Sequence, residues 1–109
     1  MIHKDGLNIY ESGTKAWFLN NQFQREDGPA VEEVDGSKKW YVKDKLHRVD
    51  EPAITRPCGY KEYRVNGKRH RLDGPAREWG CGYKEWFIND VYYKTQEEYE
   101  RMLRLKAFW

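Results

Sequence analysis

Several features are scarce in this chain of 109 residues, and each scarcity excludes a class of protein. Only two cysteines occur, Cys58 and Cys81, and neither belongs to a C-x-x-C unit, which favours a reducing compartment over a disulfide framework. No apolar run approaches the roughly 18 residues that a membrane-spanning helix needs. The first residues also lack the apolar core of a secretory leader. We therefore expect a cytoplasmic protein without a membrane span.

Signatures of catalysis and of phosphate binding are also missing. Neither G-x-x-x-x-G-K-[ST] nor G-x-G-x-x-G after a strand occurs. Carboxylates are spread evenly along the chain, so no acid/base pair stands out. The 20 Lys and Arg residues are mixed with 18 Asp and Glu residues, which gives no strong steering field. These absences predict a protein that is not an enzyme and uses no cofactor.

Aromatic residues, in contrast, are abundant. The chain has a mean hydropathy of −1.08 and 35% charged residues, values that would often indicate disorder. It also has five Trp, eight Tyr and four Phe residues, and each ring can bury a large area. We expect a thin, aromatic-rich fold in a single domain.

An internal repeat of 23 residues organises the chain. The recurring residues of the first half are Gly13, Gly36, Gly59 and Gly82; Lys15, Lys38, Lys61 and Lys84; and Trp17, Trp40, Tyr63 and Trp86. Those of the second half are Arg25, Arg48 and Arg71; Asp27, Asp50 and Asp73; Pro29, Pro52 and Pro75; and Ala30, Ala53 and Ala76. We interpret residues 1–12 as a partial first copy, 13–35, 36–58 and 59–81 as full copies, 82–94 as a partial copy and 95–109 as a C-terminal helix. The recurring residues are expected to have structural roles.

Each copy predicts two strands with turns at both ends. Asp35-Gly36 is a pair that favours a type I′ hairpin turn, and Cys58 and Cys81 precede the equivalent glycines. The second turns consist of residues that tolerate a positive φ, namely Asn20-Asn21, Lys43-Asp44, Asn66-Gly67 and Asn89-Asp90. The Arg-x-Asp-Gly-Pro-Ala segment predicts a structured loop, since proline cannot lie in a central ladder. The fold class is therefore mainly β, a single-layer twisted antiparallel sheet of stacked hairpins.

The two-residue alternation of a strand divides the side chains between two faces. The ladder that we expect to be buried contains Trp17 with Leu19, Trp40 with Val42, Tyr63 with Val65 and Trp86 with Ile88. The opposite face is expected to be open to solvent or to a partner, and carries Ala16, Phe18, Lys39, Tyr41, Glu62, Arg64, Glu85 and Phe87.

The last segment predicts a helix from about Gln96 to Lys106. Thr95-Gln96-Glu97-Glu98 is a capping box, with Thr95 at the N-cap. Such a helix would place Tyr99, Met102 and Leu103 on one side, and we expect it to cap the open end of the sheet.

Residues 63–76 give the most complete copy of the pattern W-Y-x-N-G-x-x-H-R-x-D-G-P-A, which resembles the MORN-like repeats common in bacteriophage and giant-virus proteins. The resemblance implies twisted antiparallel sheets of stacked hairpins that serve mainly in protein association, with lipid binding also proposed for the class. Gln24 replaces the histidine and Glu51 the glycine of the pattern. A site that needs identical ligands in every copy is therefore not expected.

His47, His70, Asp50 and Asp73 are the residues that could form a metal site, because stacking brings equivalent residues of neighbouring copies together. We favour a structural role instead, in which the histidines bond turn carbonyls and the arginines pair with aspartates between copies. No metal is expected. Cys58 and Cys81 occupy equivalent turns, and the sequence does not show whether they are close enough to pair.

The sequence therefore favours a non-enzymatic protein-binding module, and the resemblance suggests a viral factor that modulates a host protein in the host cytoplasm. The expected partner contacts are Phe18, Lys39, Tyr41, Glu62, Arg64, Glu85 and Phe87, where the copies differ. One alternative is nucleic-acid binding through Arg64, Lys68, Arg69 and Arg71 beside exposed aromatics. Another is self-association, including a homodimer, through the unpaired edges of the sheet.

Overall fold

The computed structural model describes residues 4–106, which form fourteen strands and one helix. The strands of the first half are β1 (Gly6–Ile9), β2 (Lys15–Leu19), β3 (Gln22–Phe23), β4 (Val31–Glu32), β5 (Lys38–Lys39), β6 (Tyr41–Val42) and β7 (Lys45–Leu46). Those of the second half are β8 (Ile54–Thr55), β9 (Lys61–Glu62), β10 (Arg64–Val65), β11 (Lys68–Arg69), β12 (Arg77–Glu78), β13 (Lys84–Ile88) and β14 (Val91–Tyr93). The helix α1 spans Gln96–Lys106, as expected.

Within the described part of the chain, ten strands form one antiparallel sheet in the order β1-β2-β4-β5-β8-β9-β12-β13-β14, with β3 also paired to β2. Two further hairpins, β6 with β7 and β10 with β11, stand beside this sheet. The sheet is not closed, and β1 and β14 form its ends. The predicted fold class, a mainly β array of antiparallel hairpins with a C-terminal helix, is confirmed.

The aromatic residue of each copy lies where the strand passes from the main sheet into a small hairpin. The strand is continuous through Trp17 and Trp86 but is interrupted at Trp40 and Tyr63. The N–H of Tyr63 donates to the carbonyl of Ala76 at 2.7 Å, and Trp17 and Trp40 make the same bond to Ala30 and Ala53. These alanines are fully buried, which explains why a small residue recurs after each proline.

The two turns of each copy differ in backbone conformation. All four of the second turns have two residues in the left-handed region, for example Asn20 at φ 51° and Asn21 at φ 62°, which confirms the expectation. The type I′ prediction for Asp35-Gly36 is wrong, because only Gly36 has a positive φ there. Gly36 N–H donates to Glu33 and Glu33 N–H donates to Ser37, which closes a three-residue loop with glycine in its left-handed position.

Successive copies are joined where the second turn of one copy meets the hairpin of the preceding copy. The N–H of Asp44 donates to the carbonyl of Phe23 at 3.1 Å, and the N–H of Phe23 donates to the carboxylate of Asp44 at 2.7 Å. Asp90 makes the same pair of bonds with Arg69, 21 residues earlier. Gly67 at the equivalent position keeps only the backbone bond, to Leu46. The contact is therefore made mainly by backbone groups, which every copy supplies.

An arginine clamps the aromatic residue within each full copy. The guanidinium of Arg71 lies 3.9 Å from the ring centre of Tyr63, donates to the carbonyl of Pro75 at 3.1 Å and pairs with Asp73 at 3.0 Å. The other two full copies stack Arg25 on Trp17 and Arg48 on Trp40. The Arg–Asp pairing predicted between copies is wrong for this contact, since Arg71 and Asp73 lie two residues apart in one loop.

The helix replaces this clamp in the last copy, where Lys94 stands at the position of the arginine. Tyr99 of α1 lies with its ring 6.5 Å from that of Trp86, donates its hydroxyl to the carbonyl of Arg71 at 2.5 Å and accepts from the N–H of Gly74. Thr95 accepts from the N–H of Glu98, which confirms the N-cap. The helix packs against β13 and β14, so it covers the end of the array as expected.

The predicted assignment of buried and open faces is wrong in large part. On the face of the recurrent aromatics, here called the clamp face, the rings of Trp17, Trp40, Tyr63 and Trp86 are only half-buried, and Leu19 and Val42 are exposed. Val65 is also half-buried, whereas Ile88 is buried as expected. Strand periodicity shows which residues share a face, but it does not show how neighbouring strands cover that face.

The opposite face, here called the variable face, holds most of the buried side chains of the strands. Antiparallel register places Ala16, Val31, Lys39, Ile54, Glu62, Arg77 and Glu85 in one row across it. A second row contains Phe18, Phe23, Tyr41, Leu46, Arg64, Arg69, Phe87 and Tyr92. Of the residues expected to be open to solvent, Ala16, Phe18, Glu62 and Phe87 are buried, and Lys39, Tyr41, Arg64 and Glu85 are half-buried.

Replacing Arg71 with alanine is expected to lower the free energy of unfolding by about 2 kcal/mol, because a stacked cation and a charged hydrogen bond are both lost. The carboxylate of Asp73 is 87% exposed, so an Asp73→Ala control should change that free energy by less than about 0.5 kcal/mol. Urea denaturation at a fixed salt concentration would measure the free energy of unfolding of both variants. If both variants lost the same free energy of unfolding, the stabilising role of the Arg71 contact would be contradicted.

Candidate protein-binding face

A buried carboxylate lies at the centre of the variable face. Glu62 is only 3% exposed, on β9, and accepts hydrogen bonds from the Tyr60 hydroxyl and from Nε of Arg64. Nε of Arg77 is 3.3 Å from the same carboxylate. A buried charge is tolerated only when it is paired and hydrogen-bonded, and Glu62 meets both conditions.

Strand register delivers these groups to one place. Arg77 on β12 lies directly opposite Glu62 on one side and opposite Glu85 of β13 on the other. It donates to the Tyr60 hydroxyl at 2.8 Å and to Glu85 at 3.1 Å. Burial, and then the hydrogen bond to Glu62, raise the pKa of Tyr60, so its phenol stays protonated and donates. The result is a connected network that fixes each side chain by at least one charged partner.

Aromatic rings form a wall beside this network. The rings of Tyr60 and Trp79 lie 5.3 Å apart in an edge-on arrangement, and Trp79 continues to Tyr83 at 5.1 Å. The guanidinium of Arg77 lies 4.7 Å from the ring centre of Trp79. Arginine held over an aromatic surface loses less side-chain freedom when it binds a further group.

An open pocket of about 420 Å³ lies over these residues. Its lining consists of Ile54, Arg56, Cys58, Tyr60, Glu62, Arg64, Arg77 and Trp79. Three arginines and one carboxylate leave the lining with two positive charges. Arginine stays protonated in proteins and cannot act as a base, so this lining is suited to binding anionic and aromatic groups.

Apolar rings flank the charged centre along the second row of the variable face. On one side Phe18 stacks on Phe23 at 4.8 Å, and Phe23 continues to Tyr41 at 4.9 Å. On the other side Phe87 lies 5.4 Å from Tyr92, which is 48% exposed. The face therefore alternates apolar, charged and apolar regions across the strands.

The structure brings Glu62, Arg64 and Glu85 together and keeps Phe18, Tyr41 and Phe87 on the flanks. Sequence reasoning missed Arg56, Tyr60, Arg77 and Trp79, which supply half of the pocket lining. Their signal was available, because a hairpin that turns near Gly82 places Arg77 opposite Glu85. The strand before each glycine turn has only weak alternation in the sequence, so periodicity alone does not assign its side chains to a face.

The histidines act as hydrogen-bond acceptors between copies. Nδ1 of His47 accepts from the N–H of Asn66 and Nδ1 of His70 from that of Asn89, each at 3.0 Å. Gln24 does the same for Lys43 at 2.6 Å. The expected bonds to turn carbonyls are thus wrong, since the partners are backbone N–H groups. Residues 4–106 contain no group of three or more His, Cys, Asp or Glu that could hold a metal ion.

The two cysteines are free and exposed, on turns of neighbouring copies. Those turns touch closely, because a Cβ added at Gly80 would lie 2.0 Å from the carbonyl oxygen of Cys58. The glycine before Cys81 is therefore required by the approach of two backbones.

The four basic residues weighed for nucleic-acid binding do not form one patch. Arg64 and Arg69 lie opposite each other on the variable face, whereas Lys68 points to the clamp face with Val65. Arg71 is held over Tyr63 and bonded to its own loop.

Comparison with known proteins adds no assignment, since no family model, no curated protein and no solved structure matches the chain. The described residues also include no helix that is long and apolar enough to cross a membrane.

We expect the protein to become less stable as the pH is lowered and His70 becomes protonated. Burial, and then the charge of Lys106, lower the pKa of His70. A lowered folded-state pKa contributes stability that is present above the unfolded value of about 6.5 and is lost as pH falls through the folded value. Protonated Nδ1 also cannot accept from Asn89.

His70→Gln provides the test, because Gln24 already fills this role in the first copy. The free energy of unfolding, measured from pH 7.5 to 5, should decline less in His70→Gln than in the unaltered protein. Parallel curves for the two proteins would show that His70 does not contribute to the decline.

Replacing Glu62 with glutamine should destabilise the protein by about 2 to 4 kcal/mol, because Arg64 and Arg77 would lose their shared buried counter-charge. Glu33→Gln is the matched control on the same face, since its carboxylate is 31% exposed and 3.1 Å from Lys39. That change should cost no more than about 1 kcal/mol. Thermal and urea unfolding would be compared, and similar costs for both variants would argue against a central role for Glu62.

Proposed function

We propose that this chain is a non-enzymatic protein-binding module whose partner contacts the variable face. The observation that carries the proposal is a difference between the two faces. Residues that recur in every full copy, such as Arg25, Arg48 and Arg71, are used in contacts within the fold. The variable face instead changes from copy to copy, from Phe18 to Tyr41, Arg64 and Phe87 at one position. Folding alone does not require that variety.

The composition of the variable face supports the same function. Arg, Tyr and Trp are the residue types that contribute most strongly to protein interfaces. Arg77, Trp79 and Tyr83 meet beside an open pocket on this face. Lys39, Tyr41, Arg64 and Glu85, four of the predicted contacts, are half-buried and keep part of their surface for a partner. Phe18, Glu62 and Phe87 are buried and would support these contacts from beneath.

The resemblance to MORN-like repeats of bacteriophages and giant viruses supports a more specific version. In that version the chain is a viral factor that acts in the host cytoplasm. It binds a host protein, for example a component of host defence, and modulates or inhibits it. Binding without catalysis is sufficient for such a role.

Capture of partners from bacterial and eukaryotic lysates tests the proposal when two matched variants are included. Tyr83→Ala with Tyr92→Ala alters exposed residues of the variable face, and Leu19→Ala with Val91→Ala alters equally exposed residues of the clamp face. A specific protein should bind the unaltered chain and the clamp-face variant but not the variable-face variant. Retention by the variable-face variant, or the lack of any specific protein, would refute the proposal.

A further inference from the structure

We propose that the central arginines of the variable face, Arg64, Arg69 and Arg77, bind a carboxylate of the protein partner. The contact segment of that partner would then carry an aspartate or glutamate flanked by apolar residues. This inference rests on the proposed function and names the chemistry that the binding face recognises.

The first observation is a pair of like charges that face each other. Arg64 of β10 lies directly opposite Arg69 of β11 in the antiparallel register. Like charges in this position destabilise a hairpin. Arg64 is partly compensated by Glu62, whereas the guanidinium of Arg69 forms no ion pair within the described residues, and the nearby carboxylate of Asp90 accepts from the backbone N–H of Arg69. An external anion at this place would remove the repulsion.

The second observation concerns the hydrogen bonds of Arg69. Its Nε is shielded from solvent and has no hydrogen-bond partner in the described part of the chain. A buried donor without a partner costs free energy and calls for an explanation. The guanidinium lies 5.3 Å from the ring centre of Phe87. By turning from this position, the side chain would gain a hydrogen bond to an incoming carboxylate.

The charge balance of the central region also favours an anion. The lining of the pocket contains three arginines, Arg56, Arg64 and Arg77, and the single carboxylate of Glu62. The pocket therefore has two positive charges in excess. Arg64 and Arg77 each use Nε and Nη1 in the bonds that hold them, so each can present Nη2 to a ligand. The planar guanidinium matches the two oxygens of a carboxylate.

The surroundings distinguish an acidic protein segment from a nucleic acid. A nucleic-acid strand carries one phosphate per nucleotide, so a basic stripe is needed to follow it. Here Glu33 and Glu85 border the arginines on the same face and would repel further phosphates. Tyr41, which is half-buried, and Tyr92, which is 48% exposed, lie on either side of Arg64 in the second row, where apolar neighbours of the acidic residue would pack.

Selection from a library of random linear 12-residue peptides tests this inference. The library would be selected separately on the unaltered protein, on Arg69→Gln and on Lys68→Gln, a neighbouring basic residue on the opposite face. Peptides from the unaltered protein and from Lys68→Gln should share an acidic residue between apolar ones. Replacing that residue with glutamine in a synthetic peptide should weaken binding about tenfold, as should Arg69→Gln, and circular dichroism would verify that the variant is folded.

Four outcomes would overturn the inference. They are selected peptides without a shared acidic residue, no enriched peptide at all, equal affinity after the change to glutamine, and displacement of the peptide by a single-stranded oligonucleotide at equal concentration. The proposed function is judged separately. If a lysate protein requires Tyr83 and Tyr92 but binds Arg69→Gln normally, only the carboxylate inference fails. If no protein depends on the variable face, the proposed function itself fails.

Discussion

The contact between each second turn and the hairpin of the preceding copy is the constraint on which the structure depends. A single-layer sheet has no second layer to bury its hydrophobic face, so neighbouring copies must hold one another. They do this largely with backbone groups, as in the bonds of Asp44 to Phe23 and of Asp90 to Arg69. Because both residues of each second turn require a positive φ, Asn, Asp and Gly recur there.

The arginine clamps follow from the same shortage of apolar cover. A tryptophan on a thin sheet would be left facing water, and a guanidinium stacked on it covers one surface of the ring while staying solvated. Arg25 and Arg48 do this in the first two full copies, and Tyr99 takes the place in the last copy. These contacts account for the residues that recur on the clamp face, whereas the residues of the variable face differ from copy to copy.

The candidate site was only partly predictable from the sequence. Differences between copies at Tyr41 and Arg64 pointed to the face on which the candidate site lies, because residues that are not required by the repeat stand out against it. The burial of Glu62 and its ion pair with Arg77 could not be read from periodicity, since Arg77 lies on another strand, 15 residues later in the chain. The sequence favoured a structural role for the histidines over a metal site, but it did not predict their partner, since His70 accepts from a backbone N–H and does not bond a turn carbonyl.

The sequence by itself determined the period, the antiparallel hairpins, the left-handed turns and the helix that begins after Thr95, because each of these depends on local backbone preferences and spacing. Only the tertiary structure decided which face is buried and which side chains meet. The alternation along a strand places Trp40 and Tyr41 on opposite faces, but it does not show which of the two faces is covered. How well each face is covered is set by the neighbouring strands and by the arginine loops, which come from distant parts of the repeat.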